Sequence, residues 1–269
     1  MSSNNLMNYL IVRKDIIMRI VEFKAEVVAD SPLLISEGGK GRVKEVIKNV
    51  DGVPIIPGSS WKGMFRSAGE IIAKHKGIEV CPGLSDENCL SKSKKYNDLN
   101  EYLANMDIEN AVKLVFHNTC LNCKIFGTQS IIGQTRFMDS LAKNYKLGTR
   151  PMIAINRKTG SVSSGALVTL EYVEPGSTFN FTLYTYNLPN YALGYLLEVM
   201  ERINNHLFQI GGNKSRGFGF ISFKNLTMTL KKGSWDSPVD SDIGVNISDK
   251  VRAEWIRLFE KYKASERGN

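Results

Sequence analysis

The sequence lacks any run of about 18 apolar residues, so nothing in it predicts a helix that crosses a membrane. The N-terminal residues also lack the order of basic, apolar and small residues that marks a secretory signal. We therefore expect a cytoplasmic protein with no membrane partner. Cysteine and histidine are scarce, at four and three of 269 residues. In a reducing compartment, cysteines are reduced thiols or metal ligands more often than disulfides.

The composition is that of a folded, basic protein. Hydrophobic residues make up 42% and charged residues 23% of the chain, which is enough apolar material for a core. The formal net charge is +8 and the isoelectric point is about 9.2, which favours a polyanionic partner. A lysine-rich surface gives the same charge without such a partner, so the charge alone does not decide the function.

The hydrophobic periodicity of the first part of the chain predicts a strand and then a helix. Residues 19–29 alternate apolar and polar side chains, which predicts a half-buried strand. Its apolar positions are Val21, Phe23, Ala25 and Val27. A helix follows Pro57 and Gly58, with Ser59 or Ser60 as its N-cap. Its apolar face comprises Trp61, Met64, Phe65, Ala68, Ile71 and Ile72.

The later part of the chain completes an α+β pattern. Residues 135–140 predict a short strand, and residues 166–188 predict two strands joined by a turn at Pro175-Gly176. A helix is predicted over 190–207 and a strand over 219–230. The helix has an apolar face of Leu193, Leu196, Leu197, Met200 and Ile203. Strand, helix, strand–strand, helix, strand is the order of a ferredoxin-like (RRM-type) unit.

We expect a single domain over residues 1–269, with extra segments inserted into or added to this unit. Residues 81–127, the cysteine insertion, hold all four cysteines and a polar run. Residues 141–163 are basic and rich in turn formers, which predicts a protruding hairpin. Residues 231–269 form a C-terminal extension that ends in a charged helix at about 249–264 and carries no recognised motif.

The segment 211–220, the glycine loop, predicts contact with phosphate. It contains four glycines, with Lys214, Ser215 and Arg216 between them. Glycines allow a main chain to approach a ligand and to direct several N–H groups at one anion. The loop follows a helix and precedes a strand, which is the reverse of a P-loop or Rossmann fingerprint, so a mononucleotide site is disfavoured. A plain helix-to-strand turn needs only one or two glycines.

The segment 57–67, the serine turn, offers a second candidate anion site. A helix N-terminus has free N–H groups, and Ser59 and Ser60 add hydroxyl donors. Lys62 and Arg66 are four residues apart and share one helix face. An ordinary capped helix with solvated charges explains the segment equally well when it is taken alone.

The cysteines have the spacing of a zinc site. Cys120-x2-Cys123 is a common zinc half-site, and Cys81-x7-Cys89 is a less typical second half. Four thiolates would complete a tetrahedral structural site, and His117 is an alternate ligand in place of Cys81 or Cys89. Four unrelated small side chains are the simpler explanation, but a polar insertion gives them little core to occupy.

Together, these motifs resemble the RAMP superfamily of CRISPR proteins. The pattern Pro-Gly-Ser-Ser-(apolar)-Lys-Gly-x-x-Arg is followed far downstream by Gly-Gly-x-x-x-Arg-Gly-x-Gly. Between them lie the segment 154–181 and the cysteine region that ends at 120–127, both of which are similar to the family's pattern. The resemblance covers roughly residues 19–230 and is closest to the backbone subunit of type III effector complexes.

The resemblance implies a palm that holds CRISPR guide RNA and a thumb hairpin, here 141–163, that is wedged between guide and target RNA. It also implies contacts with other type III effector subunits, head-to-tail packing with itself or paralogues, and structural zinc but no nucleotide cofactor. Met152 and Ile153 are the expected wedge residues. The RNA-binding residues expected are Lys40, Arg42, Ser59, Ser60, Lys62, Arg66, Arg150, Met152, Arg157, Lys158, Gly211, Gly212, Lys214, Ser215, Arg216 and Gly217.

The expected catalytic position carries no acid. Family members that cut target RNA use an aspartate in the loop after the first strand, and alignment on the segments around it places Val43 there. Valine supplies no carboxylate for metal-assisted or general-acid chemistry. We therefore expect a non-cleaving subunit with no catalytic residues. The alternative is a metal-dependent endoribonuclease that uses Glu45 or Glu37 instead.

Two further functions are less well supported. A guide-processing endoribonuclease of the same superfamily usually relies on a histidine, and His75, at the end of the first helix, more simply caps it or faces solvent. His117 lies beside the expected zinc site. A generic RRM regulator would carry RNP-like aromatic residues on its strands, a pattern that Phe218 and Phe220 match only faintly.

Overall fold

The computed structural model describes residues 9–36, 43–83, 89–90, 103, 105–128, 131–162, 167–233 and 244–262. The strands are β1 (Arg19–Ala29), β2 (Val43–Lys44), β3 (Ile55–Ile56), β4 (Thr135–Phe137), β5 (Ser140–Leu141), β6 (Leu147–Met152), β7 (Val168–Val173), β8 (Thr178–Tyr186), β9 (Ile221–Lys232) and β10 (Val245–Asn246). The helices are α1 (Gly58–His75), α2 (Ile108–Asn118), α3 (Leu121–Phe126), α4 (Asn190–Asn204) and α5 (Asp249–Lys261). The fold is mixed α+β, as predicted.

The central sheet has five strands in the order β10-β9-β1-β8-β4, and each neighbouring pair is antiparallel. In β1, Val21, Phe23 and Val27 are buried, which confirms the period-two pattern, while Ala25 is half-buried. Trp61 and Phe65 of α1 pack against Phe181 of β8, with ring centroids 5.0 and 6.0 Å away. Helix α4 lies against α1 and β9. The core therefore lies between one face of the sheet and these two helices.

Burial along the helices follows the sequence pattern at most positions. All five predicted apolar positions of α4 are buried. In α1, five of the six predicted positions are buried, but Ile71 is 58% exposed. The N-cap of α1 is Pro57, so the prediction of Ser59 or Ser60 as the cap was wrong. Both serines lie inside the first turn.

The two strands predicted over 166–188 form, but they enter different sheets. Strand β7 lies between β2 and β6, whereas β8 belongs to the central sheet. Two main-chain hydrogen bonds between Leu33 and Val173, of 3.0 and 2.8 Å, hold the end of β7 away from β8. The turn at Pro175 and Gly176 forms as predicted, but it connects strands of two different sheets.

The protruding hairpin is built from β6 and β7, which pair from Leu147↔Val173 to Met152↔Val168. Its outer end is narrow, with a bridge between Ile155 and Val162 and a turn closed by the 2.9 Å bond from Asn156 N to Ser161 O. The segment predicted as a hairpin, 141–163, therefore supplies only the first strand of the ladder. The second strand is β7.

Residues 244–262 of the predicted C-terminal extension are part of the folded core. Strand β10 pairs with β9, and α5 packs along α4. Trp255 and Phe259 are buried, and Gly194 of α4 lies directly against the carbonyl group of Trp255. Helix α5 begins where predicted and ends at Lys261. Within the described ranges, no helix combines the length and apolar character that a bilayer crossing needs.

Candidate nucleic-acid interface and metal centre

The glycine loop is a compact turn whose basic side chains face solvent. Lys214–Arg216 form a single 3-10 turn, flanked by left-handed residues Asn213 and Gly217. Gln209 Nε2 donates to the carbonyl oxygens of Lys214 (2.9 Å) and Phe218 (2.8 Å), which holds the loop closed. The exposed residues of the loop are Gly212, Lys214, Ser215, Arg216 and Gly217. These are five of the predicted RNA-binding residues.

Two glycines near the loop's ends are required by packing. A Cβ on Gly211, whose φ is +84°, would collide with the carbonyl oxygen of Leu34. A Cβ on Gly219, whose φ is +91°, would collide with the carbonyl oxygen of Ile210. The number of glycines is therefore partly a consequence of this fold, and the assignment of an anion site rests on the exposed Lys214 and Arg216.

Arg150 of the hairpin contacts the glycine loop at Phe218. Its guanidinium carbon lies 5.3 Å from the ring centroids of both Tyr172 and Phe218. The two rings are 5.7 Å apart and nearly perpendicular, so the cation lies against two aromatic groups at once. Strand β6 thus brings a predicted basic residue to the end of the glycine loop.

The serine turn and the glycine loop lie at the same end of the central sheet. Gly212 N donates to Leu34 O at 2.8 Å, and Ile47 N donates to Ile35 O at 2.8 Å. Ile55 N in turn donates to Ile47 O at 3.0 Å, just before α1 begins. Three main-chain hydrogen bonds therefore connect the two segments, which are about 150 residues apart in the sequence.

The N-terminus of α1 already holds a carboxylate of the same chain. Asp139 Oδ1 accepts a 2.7 Å hydrogen bond from Gly58 N, and the N–H groups of Ser60 and Trp61 bond to Pro57 O. The N–H groups that the sequence offered to phosphate are thus partly engaged. Ser59 and Lys62 are exposed, and Ser60 is half-buried.

Arg66 points toward the cysteine residues. Its guanidinium donates to Gly127 O at 2.6 Å and to Pro82 O at 3.3 Å, and it lies 3.5 Å from Cys123 Sγ. The helix spacing predicted a stripe shared by Lys62 and Arg66, but Arg66 instead ties α1 to both ends of the cysteine insertion. Three neighbouring acceptors orient this side chain.

The four cysteines converge as predicted. Their Sγ atoms all lie within 4.8 Å of one another, with Cys81 3.2 Å from Cys123, 3.3 Å from Cys89 and 3.8 Å from Cys120. A tetrahedral zinc with Zn–S bonds of about 2.3 Å needs S–S separations of roughly 3.8 Å, so the set fits zinc with small adjustments.

Additional features around the cysteines match a metal centre. The hydrogen bond between Cys120 and Cys123 lowers the pKa of the Cys120 thiol and raises the pKa of the Cys123 thiol, so the four sulfur atoms act as one group. The Arg66 cation, 3.5 Å from Cys123 Sγ, would offset part of the negative charge of four metal-bound thiolates. His117 is not a member of the group; its ring lies against Tyr9 and Phe116, so the alternate-ligand prediction gains no support.

Most of the remaining predicted residues lie on the hairpin. Arg157 and Lys158 are exposed at the outer end of the hairpin, while Met152 is half-buried and packs on the core. Ile153 is exposed, and so are Ile155 (60%) and Val162 (54%) at the bridge. Lys40, Arg42 and Glu37 lie outside the described residues.

Position 43 lies beside the second strand of the hairpin. Val43 is 54% exposed and pairs in parallel with Thr169 of β7. Further along the same strand, Glu171 accepts hydrogen bonds from Val46 N (3.0 Å) and Lys48 Nζ (2.9 Å). The sequence alone did not identify Glu171, because only the pairing of β2 with β7 brings Glu171 beside the segment that follows Val43. Glu45 is exposed.

Comparison with known proteins agrees with this α+β architecture. The RAMP superfamily model matches residues 26–222, most of the chain, and the protein therefore belongs to the RAMP superfamily. A stretch of 125 residues is 31% identical to the CRISPR system Cmr endoribonuclease Cmr4 of Pyrococcus furiosus. The match covers 46% of this chain and 41% of that protein, so the chain spans about two fifths of its length.

Proposed function

We propose that this protein is a guide-RNA-binding backbone subunit of a type III CRISPR effector complex. The observation that carries the proposal is the contact of Arg150 with Phe218 of the glycine loop, the segment that also presents the exposed Lys214 and Arg216. Clustered cations next to aromatic rings suit a single-stranded RNA backbone. Membership of the RAMP superfamily and the similarity to a CRISPR-system protein give the biological setting.

The palm of this subunit is, in our proposal, a ferredoxin-like unit. The strand order β9-β1-β8-β4, with α1 and α4 on one face, supports that assignment. The cysteine insertion and the hairpin then leave the palm between α1 and β8. Successive copies, or paralogues, would pack head to tail along the guide, since such a heterologous contact does not close on itself.

The hairpin formed by β6 and β7 is proposed as the thumb that separates guide from target RNA. Its exposed apolar side chains at the outer end, Ile153, Ile155 and Val162, are suited to unstack bases. Met152 packs on the core, so we assign the wedge to Ile155 and Val162 together with Ile153. Arg157 and Lys158 would hold neighbouring phosphates.

Zinc is proposed as a structural group held by Cys81, Cys89, Cys120 and Cys123. A closed set of four thiolates leaves no coordination position for a substrate. When bound, the metal would supply only a cross-link between the two ends of the cysteine insertion. Arg66 would hold this cross-linked unit against α1.

We further propose that the subunit does not cleave target RNA. Val43 occupies the expected catalytic position and supplies no carboxylate, and the adjacent Glu171 already bonds Val46 and Lys48. The similarity to a protein named an endoribonuclease favours the alternative, in which Glu45 or Glu37 replaces the missing acid. Both acids need testing.

Two measurements test the proposal. Fluorescence anisotropy with a labelled guide RNA should show tight, salt-dependent binding that Arg216→Gln weakens; no RNA binding by the unmodified protein would refute the proposal. The assembled complex with matched target RNA and Mg²⁺ should then leave the target intact opposite this subunit. Metal-dependent cuts that disappear in Glu45→Ala or Glu37→Ala would instead establish the endoribonuclease.

A further inference from the structure

Three cations converge at the outer strand of the central sheet. Strand β4 is the edge strand, and α1 lies against it, since a Cβ on Gly58 would collide with the carbonyl group of Phe137. Lys62 is exposed on the first turns of α1, and Arg136 is exposed in the middle of β4. None of the predicted RNA-binding residues lies on β4.

The N-terminal segment brings Lys14 to the same strand. Gln134 Nε2 donates to Ile11 O at 2.8 Å and to Arg13 O at 2.9 Å, and Gln134 precedes Arg136 by two positions. Lys14 follows Arg13 directly, so these bonds fix its backbone beside β4. Three separate parts of the chain, each with one of these cations, therefore lie along one edge of the sheet.

Arg136 is held in place by neutral groups. Its Nη1 donates to Gly133 O at 2.8 Å and Thr135 O at 3.0 Å, and its guanidinium lies 5.7 Å from the ring centroid of Tyr186. In the part of the chain that the structure describes, the ion pairs involve other cations, and Lys14, Lys62 and Arg136 belong to none of them.

The charges also act on one another. Partial burial and Arg136 lower the pKa of Lys14 to about 7. Partial burial, Arg66 and Arg136 lower the pKa of Lys62. Like charges held close together raise the free energy of the unliganded protein, and a bound anion removes that cost. Asp139, the acid on the adjoining segment, is engaged with Gly58 N.

We propose that Lys14, Lys62 and Arg136 form a phosphate-binding site that extends the RNA path from the serine turn onto the edge strand. The inference rests on the proposed function and adds a segment of the path to it. Nucleic acid fits better than an acidic protein surface, because the planar guanidinium lies beside Tyr186, and a cation next to an aromatic ring suits phosphate and base together.

The test measures RNA binding by variants in which a positive side chain is replaced by an uncharged one. Lys62→Gln combined with Arg136→Gln should weaken binding of a labelled single-stranded RNA by roughly ten-fold or more at low salt. The slope of log K against log salt should also fall by about 0.7 for each phosphate that the variant no longer binds. Lys14→Gln should act in the same direction. Lys74→Gln is the control, because Lys74 is an exposed lysine at the other end of α1. Thermal denaturation checks that each variant is folded.

The outcomes separate the two proposals. If the double variant binds RNA as tightly as Lys74→Gln while Arg216→Gln binds weakly, the edge site is wrong and the RNA-binding function stands. If the double variant retains RNA binding but no longer associates with other copies of the chain, the edge is a protein interface and the site is also wrong. Absence of RNA binding by the unmodified protein would overturn both.

Discussion

Asp139 accepts a 2.7 Å hydrogen bond from the backbone N–H of Gly58, across 81 positions of sequence. This bond caps α1 with a carboxylate and places a negative charge beside the proposed RNA surface. Asp139→Ala should therefore destabilise the fold by about 1 kcal/mol through loss of the cap, and should strengthen RNA binding through loss of repulsion. Urea denaturation and anisotropy measure the two effects, and weaker RNA binding would contradict this interpretation of Asp139.

The pKa of Lys14 predicts a pH-dependent affinity. Because its pKa is lowered to about 7 in the free protein, the lysine loses its charge as pH rises through neutrality. RNA stabilises the charged form, so affinity should fall as the pH rises from about 6 to 8. The Lys14→Gln variant should show a flatter profile over the same range, and an unchanged slope would show that another group is responsible.

If the four cysteines hold zinc, retention of the metal should depend on each of the four thiols. Cys120→Ser should lose most of the bound zinc and lower the melting temperature, as measured by elemental analysis and calorimetry. His117→Ala is the control and should keep the metal, since His117 lies against Tyr9 and Phe116. Loss of zinc in His117→Ala together with retention of zinc in Cys89→Ser would instead support a ligand set in which His117 replaces Cys89.

Arg66 should affect stability more than RNA affinity. Arg66→Ala removes the donor to Gly127 O and the cation beside Cys123, which leaves partly buried acceptors unsatisfied. We expect a loss of roughly 1–3 kcal/mol in the free energy of unfolding. Lys62→Ala, on the same helix, should show the opposite pattern in a parallel measurement of stability and RNA binding.

Gly194 tests the attachment of the C-terminal helix. A methyl group there would collide with the Trp255 carbonyl, so Gly194→Ala should be destabilising by roughly 2 kcal/mol or more as α5 is displaced. Gly63→Ala in α1 is the matched control, because a Cβ on Gly63 would have no neighbouring atom within 4 Å. That substitution should stabilise by roughly 0.5–1 kcal/mol.

Patterns among neighbouring residues predicted where the helices and strands lie. Contacts between residues distant in the sequence determine how the ends of these helices and strands are bonded. The period-two pattern of β1 and the apolar face of α4 depend on residues close in sequence, and both were confirmed. The carboxylate that bonds the first N–H group of α1 was missed because Asp139 is 81 positions away in the sequence. The two strands on either side of Pro175-Gly176 were predicted, but nothing local shows that β7 bonds to Leu33 and enters a different sheet from β8.

In the candidate site, too, local spacing predicted some features and could not predict those that depend on tertiary contacts. Cysteine spacing predicted that the four thiols converge, because four thiols in one polar insertion have few other partners. Spacing on α1 could not show that Arg66 turns toward Gly127, and no local pattern connects Lys14 to Arg136 across more than a hundred residues. Gly211 and Gly219 suggested an anion loop, although each is also required by contact with a neighbouring carbonyl group.

The position of Arg150 between Tyr172 and Phe218 has a mechanical consequence. This side chain and the ring of Tyr172 both join the β6–β7 hairpin to Phe218 of the glycine loop, so a shift of the hairpin relative to the loop would break these contacts. A pull on the outer end of the hairpin would reach the glycine loop through Arg150 and through the contact between the Tyr172 and Phe218 rings. Replacing Arg150 would therefore remove one of these two contacts and weaken the mechanical coupling between the hairpin and the glycine loop.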